Sequence, residues 1–282
     1  MKATWLVGVV LVGCSFSPGA ATDPGDTTDA ALPIGDDAAP IDTTTATTVV
    51  PCGTPDASGL VLCLEFEDGV DDGVLLDSSP NHRDAMTSGL VAAMRTVPAT
   101  STAGHVAAAS TIRVPANPAL DVGAAYTYSA WVHPASLPAQ GVVYGLFDHE
   151  QQYAMLIAHA PITGELETRC VHTGVQRYEW TSILPVGEWT FLACTWDGVQ
   201  LCANRWTSAT SHERFCHVPT IPPNAAGAQG LAIGQLSDAG SAHSPLDGDL
   251  DSVQLYSRGM SADQLCALAG QPAGCLPCNA GC

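Results

Sequence analysis

Residues 186–206 constrain the fold most, because they predict two β-strands joined at Asp197-Gly198. An Asp-Gly pair between β-rich runs indicates a hairpin, since a tight primed turn needs a positive φ that glycine adopts freely. A two-residue turn would place Cys194 opposite Leu201. Apolar or aromatic side chains occupy both faces of the first strand, 189–196, as is typical of a strand covered on both sides. The sequence therefore predicts a buried hairpin within a large β-protein.

Turn signals recur along the chain at the spacing expected of an all-β sandwich. One short helix is predicted near the C-terminus, where Ser261 can cap its start, Gln264 completes a capping box and Gly270 ends it. Leu265 and Leu268 would pack this helix on the sandwich. The predicted strands are 60–67, 86–93, 105–114, 126–134, 142–148, 153–159, 165–172, 177–182, 189–196, 200–206, 212–218, 230–235 and 247–256.

Five sequence blocks occur in a recognisable order between residues 59 and 269. They are 59–68 (GLVLCLEFED), 79–84 (SPNHRD), 126–134 (YTYSAWVHP), 187–198 (GEWTFLACTWDG) and 248–261 (GDLDSVQLYSRGMS). This order resembles that of LamG-like domains, a branch of the concanavalin A-like lectin and glucanase proteins. The resemblance implies an all-β jelly-roll sandwich of two antiparallel sheets over residues 52–270, with one short C-terminal helix. It is far less specific about a ligand.

The N-terminus predicts an exported lipoprotein. Residues 1–13 carry one positive charge, Lys2, and an apolar run that is too short for a membrane span and typical of a signal peptide. The run ends in Leu11-Val12-Gly13-Cys14, which resembles a bacterial lipobox and implies cleavage before Cys14 and its lipidation. An ordinary signal peptide with a chance cysteine is the alternative. By analogy with Gram-negative lipoproteins, Ser15 favours anchoring in the outer membrane of the cell envelope.

Residues 14–51 predict a disordered acidic tether behind the lipidated cysteine. After Cys14 this segment is rich in Thr, Asp, Ala and Pro and has no Lys or Arg, so it holds too little apolar surface to fold. The chain has a net charge of −19, and its one lysine lies in the signal peptide. Binding to nucleic acid or to anionic lipid headgroups is therefore disfavoured. We expect a monomer.

The cysteines predict a disulfide-bonded exported protein. Eleven are present, and lipidation of Cys14 leaves ten, an even number that predicts five disulfides. Strand parity puts Cys194 and Cys202 on opposite faces of their hairpin. Cys202 could pair with Cys216 across the next hairpin, and Cys170 with Cys194 between neighbouring strands. The remaining six would tie the chain ends together, three of them in a Cys-rich tail at 271–282: Cys52, Cys63, Cys266, Cys275, Cys278 and Cys282.

Acidic and amide side chains near the first and last strands suggest a calcium site. Glu67 and Asp68 end the first strand, Asn81 lies in the following turn, and Asp251 is on the last strand. The first and last strands of a jelly roll are neighbours, so these residues could supply some of the roughly six to eight oxygen ligands that Ca²⁺ takes. The resemblance implies a structural Ca²⁺ there. The alternative is that backbone N–H groups cap the carboxylates without a metal.

Aromatic residues are candidates for binding sugar rings by stacking. Tyr178 and Trp180, on one predicted strand, and Trp206, at a hairpin end, are the candidate ligand-binding residues. The other tryptophans of the β-rich blocks are assigned to the core, since large sandwiches also bury aromatic rings: Trp131, Trp189 and Trp196.

No catalytic residue is predicted. Glu165 and Glu167 share one face of a strand, as carboxylates do in glycosidases of this fold. Here Arg169 and Val171 follow, however, and the third carboxylate of the glycosidase pattern does not occur. A solvated acidic face is therefore the favoured interpretation of this pair.

Together these features favour a non-catalytic, surface-anchored binding module for a glycan or a cell-surface protein, with a structural Ca²⁺. A lipid anchor on a long flexible tether extends the reach of such a module from the membrane. Two alternatives remain. One is a glycoside hydrolase that uses Glu165 or Glu167, and the other is a structural component of the cell envelope, because one sandwich fold hosts many functions.

Overall fold

The computed structural model describes residues 57–70, 72–149, 152–159, 166–172, 177–181, 184–208, 211–220, 230–238 and 241–271. The predictions for the signal peptide, Cys14, the tether and the C-terminal tail lie outside these residues. Within the described part of the chain, no helix is both long and apolar enough to cross a membrane.

The described residues form two antiparallel eight-stranded sheets and a small hairpin, and the predicted jelly-roll sandwich is confirmed. In chain order the elements are β1 (Leu60–Leu64), β2 (Val74–Leu75), β3 (Ala85–Ser88), β4 (Val91–Arg95), β5 (Ser101–Val106), β6 (Thr111–Val114), β7 (Tyr126–Pro134), β8 (Val143–His149), β9 (Tyr153–His159), β10 (Leu166–His172), β11 (Arg177–Thr181), β12 (Thr190–Trp196), β13 (Leu201–Ser208), β14 (Ser211–His217), β15 (Leu231–Ile233), β16 (Leu236–Asp238), β17 (Ser241–His243), β18 (Gly248–Tyr256) and α1 (Ala262–Leu268).

The order of strands in each sheet places distant segments side by side. Sheet A runs β14-β13-β12-β7-β18-β5-β4, with β1 also paired to β18, and sheet B runs β11-β10-β9-β8-β15-β6-β3-β2. The predicted proximity of the first and last long strands is therefore confirmed. Strand β18 is central to sheet A, because it pairs with β7 on one side and with β5 and β1 on the other.

Strand β12 is covered on both faces, as its sequence predicts. All seven of its residues are buried. Leu192 and Cys194 belong to the core between the two sheets, whereas Phe191 and Ala193 belong to a second apolar cluster on the outer face of sheet A. Both faces bury apolar groups because α1 lies over that outer face.

Helix α1 begins and ends where the sequence predicts. The Ser261 side chain accepts a hydrogen bond from the Gln264 backbone N–H, and the Gln264 side chain accepts one from the Ser261 N–H, which together form a capping box. Gly270 follows the helix with a φ of +67°. The Leu265 side chain is buried in the outer cluster. The helix therefore closes one part of the outer face of sheet A.

Two predicted strands each prove to be two strands that belong to different sheets. The segment 86–93 divides at Gly89, which has a φ of +62°, so that β3 pairs in sheet B and β4 in sheet A. The segment 105–114 divides at a turn where the Ser110 hydroxyl donates to the Gly89 carbonyl at 2.7 Å. The chain therefore crosses from one sheet to the other in each of these two segments, and the Ser110–Gly89 hydrogen bond joins the two crossings.

The hairpin at Asp197-Gly198 has a longer loop than a two-residue turn. Trp196 pairs with Leu201, and Cys194 lies opposite Ala203 rather than Leu201. The Asp197 carboxylate accepts hydrogen bonds from the N–H groups of Val199 and Gln200 at 2.8 and 2.7 Å, which stabilises the wider turn. The shift is two residues, so each side chain keeps its face.

Both disulfide pairings proposed from the sequence are confirmed, although Cys170 and Cys194 lie on strands of different sheets and not on neighbouring strands. Cys170 on β10 bonds to Cys194 on β12 and so links sheet B to sheet A. Cys202 and Cys216 lie directly opposite one another on β13 and β14 and are bonded. Two further cysteines, Cys63 and Cys266, are also disulfide-bonded. The predictions for the others lie outside the described residues: Cys52, Cys275, Cys278 and Cys282.

Candidate functional site

Asp251, one of the predicted calcium ligands, is instead the anion of a buried ion pair. Its carboxylate lies 2.5 Å from Arg95 Nε and also accepts a hydrogen bond from the Ser101 hydroxyl. Both charged side chains are about 1 % exposed. Burial raises the pKa of the Asp251 carboxyl, whereas the Arg95 charge and hydrogen bonds from Ser101 and Ser252 oppose that rise. This carboxylate already has its counter-charge.

The other predicted calcium ligands also have different partners. The Asn81 amide donates to the Leu60 carbonyl at 2.9 Å, and Glu67 accepts a hydrogen bond from the Thr102 N–H at 3.1 Å. Asp68 is exposed. Among the described residues, no group of three or more His, Cys, Asp or Glu side chains is arranged to hold a metal ion. The residues chosen from the sequence therefore do not fit a calcium ion.

A different carboxylate, that of Asp77, organises the turn that contains Asn81. Asp77 is buried and accepts hydrogen bonds from the backbone N–H groups of Cys63, Ser79 and Arg83 at 2.7–2.9 Å. Such donors satisfy a carboxylate without a cation. The alternative of carboxylates capped by N–H groups is what the structure contains here.

The prediction of Trp206 as an exposed sugar platform is wrong. Its side chain is 3 % exposed and packs edge-on against Trp131, with ring centroids 5.3 Å apart. Trp206 is buried because it belongs to the apolar cluster on the outer face of sheet A, which also contains Trp131 and Phe191. Tyr178 and Trp180 are on β11, opposite Cys170 and Thr168 in register, and their side chains lie outside the described residues.

The acidic pair considered for catalysis is also only partly described. Glu167 is 5 % exposed and forms an ion pair with Arg169, two residues along the same strand, at 3.0 Å. It therefore does not belong to a solvated acidic face, because the residue two positions on neutralises it. Glu165 lies outside the described residues.

A different group of polar side chains lies partly exposed on the outer face of sheet A. Asp249 Oδ1 lies 2.7 Å from His105 Nδ1, and Asp249 Oδ2 lies 2.9 Å from His133 Nδ1. The three side chains are 38 % (His105), 27 % (His133) and 16 % (Asp249) exposed. We refer to these three residues as the His–Asp–His cluster.

Strand pairing puts this cluster together. Asp249 on β18 lies directly opposite His105 on β5 and His133 on β7, so the three side chains form one row across three adjacent strands. Leu250, the next residue of β18, points into the core between the sheets, so Asp249 points outward. The His133 ring packs on Trp189, with centroids 5.2 Å apart, and this contact supports one end of the row.

The hydrogen bonds to Asp249 determine which nitrogen of each histidine ring donates. An ionised carboxylate only accepts hydrogen bonds, so Nδ1 of both histidines must carry the proton that is donated to Asp249. In the neutral rings Nε2 is then an acceptor. The Asp249 carboxylate therefore orients two imidazoles, and the Nε2 atom of each ring is left as a hydrogen-bond acceptor. This cluster is our candidate site.

Sequence reasoning missed this cluster, although a partial signal was present. Asp249 and Asp251 alternate on the last strand and so share a face, but only Asp251 was considered. His105 and His133 each lie on a predicted strand. Recognising the three residues as one row requires knowing that β18 lies between β5 and β7, and strand order does not follow from periodicity.

Comparison with solved structures shows the same fold in several carbohydrate-active or binding proteins. Domain 4 of AbnA, an extracellular arabinanase of Geobacillus stearothermophilus solved with arabinotriose, aligns with a TM-score of 0.56 at 18 % identity, over 76 % of this chain and 100 % of that domain. The binding domain of botulinum neurotoxin DC with SialylT aligns at 0.53 and 8 % identity, over 76 % and 51 %.

The sialidase of Trypanosoma rangeli with sialic acid aligns with a TM-score of 0.53 at 14 % identity, over 76 % of this chain. The chain spans about half of the toxin domain and 33 % of the sialidase. Identities this low show a shared fold, not a shared activity. No curated protein matches the sequence.

The family described as the concanavalin A-like lectin/glucanases superfamily matches residues 106–266, which is more than half of the 282 residues. This match agrees with the two antiparallel sheets and the short C-terminal helix. The chain belongs to the concanavalin A-like lectin/glucanases superfamily.

Proposed function

We propose that this protein is a non-catalytic, surface-anchored module that binds a glycan. The observation that carries the proposal is the His–Asp–His cluster, in which three oriented polar side chains are partly open to solvent on an otherwise packed sheet face. Sugar-binding sites combine a few fixed polar groups with an apolar surround. Relatives with this fold were solved with arabinotriose, SialylT and sialic acid, which supports a carbohydrate as the class of ligand.

A hydrolase is the second candidate, because arabinanase and sialidase structures share the fold. A retaining glycosidase needs two carboxyl groups about 5–5.5 Å apart, one of them held protonated. Glu167 is instead held in an ion pair with Arg169 at 3.0 Å, and its carboxylate is therefore already engaged. This pairing is the reason for preferring binding over catalysis.

The first experiment applies the full chain carrying Cys14→Ser, which cannot be lipidated at that residue, to a glycan array with and without calcium. We expect specific binding of at least one glycan and no hydrolysis of it. Calcium dependence is a prediction from the family resemblance alone, and the calcium arm tests it. If the protein hydrolyses a glycan and Glu167→Gln abolishes that hydrolysis, the protein is a glycosidase and the proposal is wrong. If neither binding nor hydrolysis is detected, a structural component of the cell envelope is favoured.

The anchor is a separate part of the proposal and rests on the sequence around Cys14. We expect the full chain to fractionate with membranes when it is expressed in a Gram-negative host and to incorporate a labelled fatty acid. Cys14→Ser should release it into the soluble fraction without label, whereas Cys52→Ser, at the start of the predicted folded domain, should retain the label. Equal labelling of wild type and Cys14→Ser would show that the lipid is attached elsewhere.

A further inference from the structure

We propose that the His–Asp–His cluster is the glycan subsite and that it selects neutral sugars that donate hydrogen bonds, while it rejects anionic sugars near neutral pH. This inference rests on the proposed function and adds to it the location and the chemical class of ligand. It follows from the hydrogen bonds of His105, Asp249 and His133 and from the residues beside them.

The exposed edge of the cluster consists of acceptors. Both Nδ1–H groups are already donated to Asp249, so Nε2 of each neutral ring offers a lone pair. The carboxylate has about four acceptor positions, of which the histidines occupy two. A ligand that satisfies these atoms must bring donors. Sugar hydroxyls do so, and each can still accept a hydrogen bond from water.

An anionic sugar group meets hydrogen-bond acceptors, and not donors, at the His–Asp–His cluster. A sugar carboxylate or sulfate only accepts hydrogen bonds, and it would lie beside Asp249 in a chain of net charge −19. Arg95, which lies on the same face of sheet A, is 1 % exposed and already paired with Asp251. Arginine is the usual partner of a carboxylate, but this one is not available at the surface.

The flanks of the row are apolar. Val91 on β4 lies opposite His105 in register and is 57 % exposed, so it is open to a ligand. Trp189 at the other end is 7 % exposed and supports the His133 ring. The faces of sugar rings are rows of C–H groups that pack on such side chains. The row therefore offers acceptors in its centre and apolar contact at its side, which matches a neutral saccharide better than a small ion.

The test measures affinity by calorimetry, with the full chain carrying Cys14→Ser as the reference protein. The neutral probes are arabinotriose and neutral xylan, β-glucan and galactan oligosaccharides, and the anionic probes are sialyllactose and oligogalacturonate. We expect binding among the neutral probes only. His105→Ala or His133→Ala should each cost roughly tenfold at pH 7.5. His243→Ala removes an exposed histidine on β17 and should cost nothing.

Asp249 acts through the histidines and is a positioning residue. In Asp249→Asn the amide can accept from one ring and donate to the other, so one ring must move its proton to Nε2. Affinity for the neutral probe should fall, and the ring nitrogen chemical shifts should show one of the two histidines in the Nε2–H tautomer. A purely structural loss would lower affinity while both rings keep the proton on Nδ1. Melting temperatures of all variants should stay near that of the reference protein.

The outcomes separate this inference from the proposed function. Binding of anionic probes alone, or neutral binding that the histidine variants leave unchanged, overturns the subsite and leaves a glycan-binding module standing. Binding that a chelator abolishes also overturns it, because a metal would then make the contact. If no probe and no array glycan binds, the proposed function fails, and the subsite fails with it.

Discussion

Replacing Asp251 with asparagine is expected to lower the free energy of unfolding by about 3–5 kcal/mol. The substitution leaves the Arg95 guanidinium buried without its counter-ion, at a position that is 1 % exposed. The pair also joins distant parts of sheet A, since Arg95 lies on the edge strand β4 and Asp251 on the central strand β18. Urea denaturation of wild type and variant measures the effect.

Asp249→Asn is the matched control, because it removes the same charge from the same strand at a partly exposed position. Pairs of that kind contribute about 0–1 kcal/mol, so this variant should be nearly as stable as wild type. The double variant Arg95→Met/Asp251→Leu should recover much of the loss, because neither charge then remains buried. Equal midpoints for Asp251→Asn and Asp249→Asn would show that the buried pair does not stabilise the fold.

Removing the disulfide between the sheets is the second large expected effect. Replacing Cys170 and Cys194 together with alanine should cost about 3 kcal/mol from the loop of 24 residues that the bond closes, because the unfolded chain gains freedom. Both cysteines are fully buried in the core, so the loss of their sulfur contacts adds to this cost. Denaturation under non-reducing conditions measures the change.

The second disulfide provides the comparison. Cys202 and Cys216 close a shorter loop, with a sequence separation of 14 against 24, and they lie opposite one another in a hairpin whose strands are already hydrogen-bonded. Their alanine double variant should lose less than the Cys170/Cys194 variant, since no contact between the sheets depends on it. A larger loss for the hairpin bond would contradict this view of how the sheets are held together.

The parts of the fold that could be predicted from sequence are those encoded locally. Alternation around Phe191 and Leu192 reveals a strand buried on both faces, and Ser261 with Gln264 specifies where a helix begins. Parity along a strand was sufficient to place Cys194 and Cys202 on opposite faces of their hairpin, because a register error of two residues leaves every side chain on its face. Each of these features depends on neighbours within a few positions.

The parts that could not be predicted depend on contacts between distant segments. Gly89 lies within an apolar run, and nothing in that run shows that its two halves enter different sheets. Trp206 resembles a surface aromatic until its packing against Trp131 on the neighbouring part of the sheet is known. Asp249 becomes notable only when β18 is known to lie between two strands that each carry a histidine. Sequence alone therefore located the sandwich but not its candidate site.

The pairing of β18 also determines where the protein can be cut. The superfamily match covers residues 106–266, yet β18 is hydrogen-bonded to β1 and β5, which lie almost wholly before that range. A fragment with those boundaries would expose one edge of the central strand and would carry Asp251 without Arg95. Both edge strands at this side of the sandwich, β2 and β4, would be missing as well. The smallest unit suitable for expression therefore begins before β1, which starts at Leu60, although the family match begins only at residue 106.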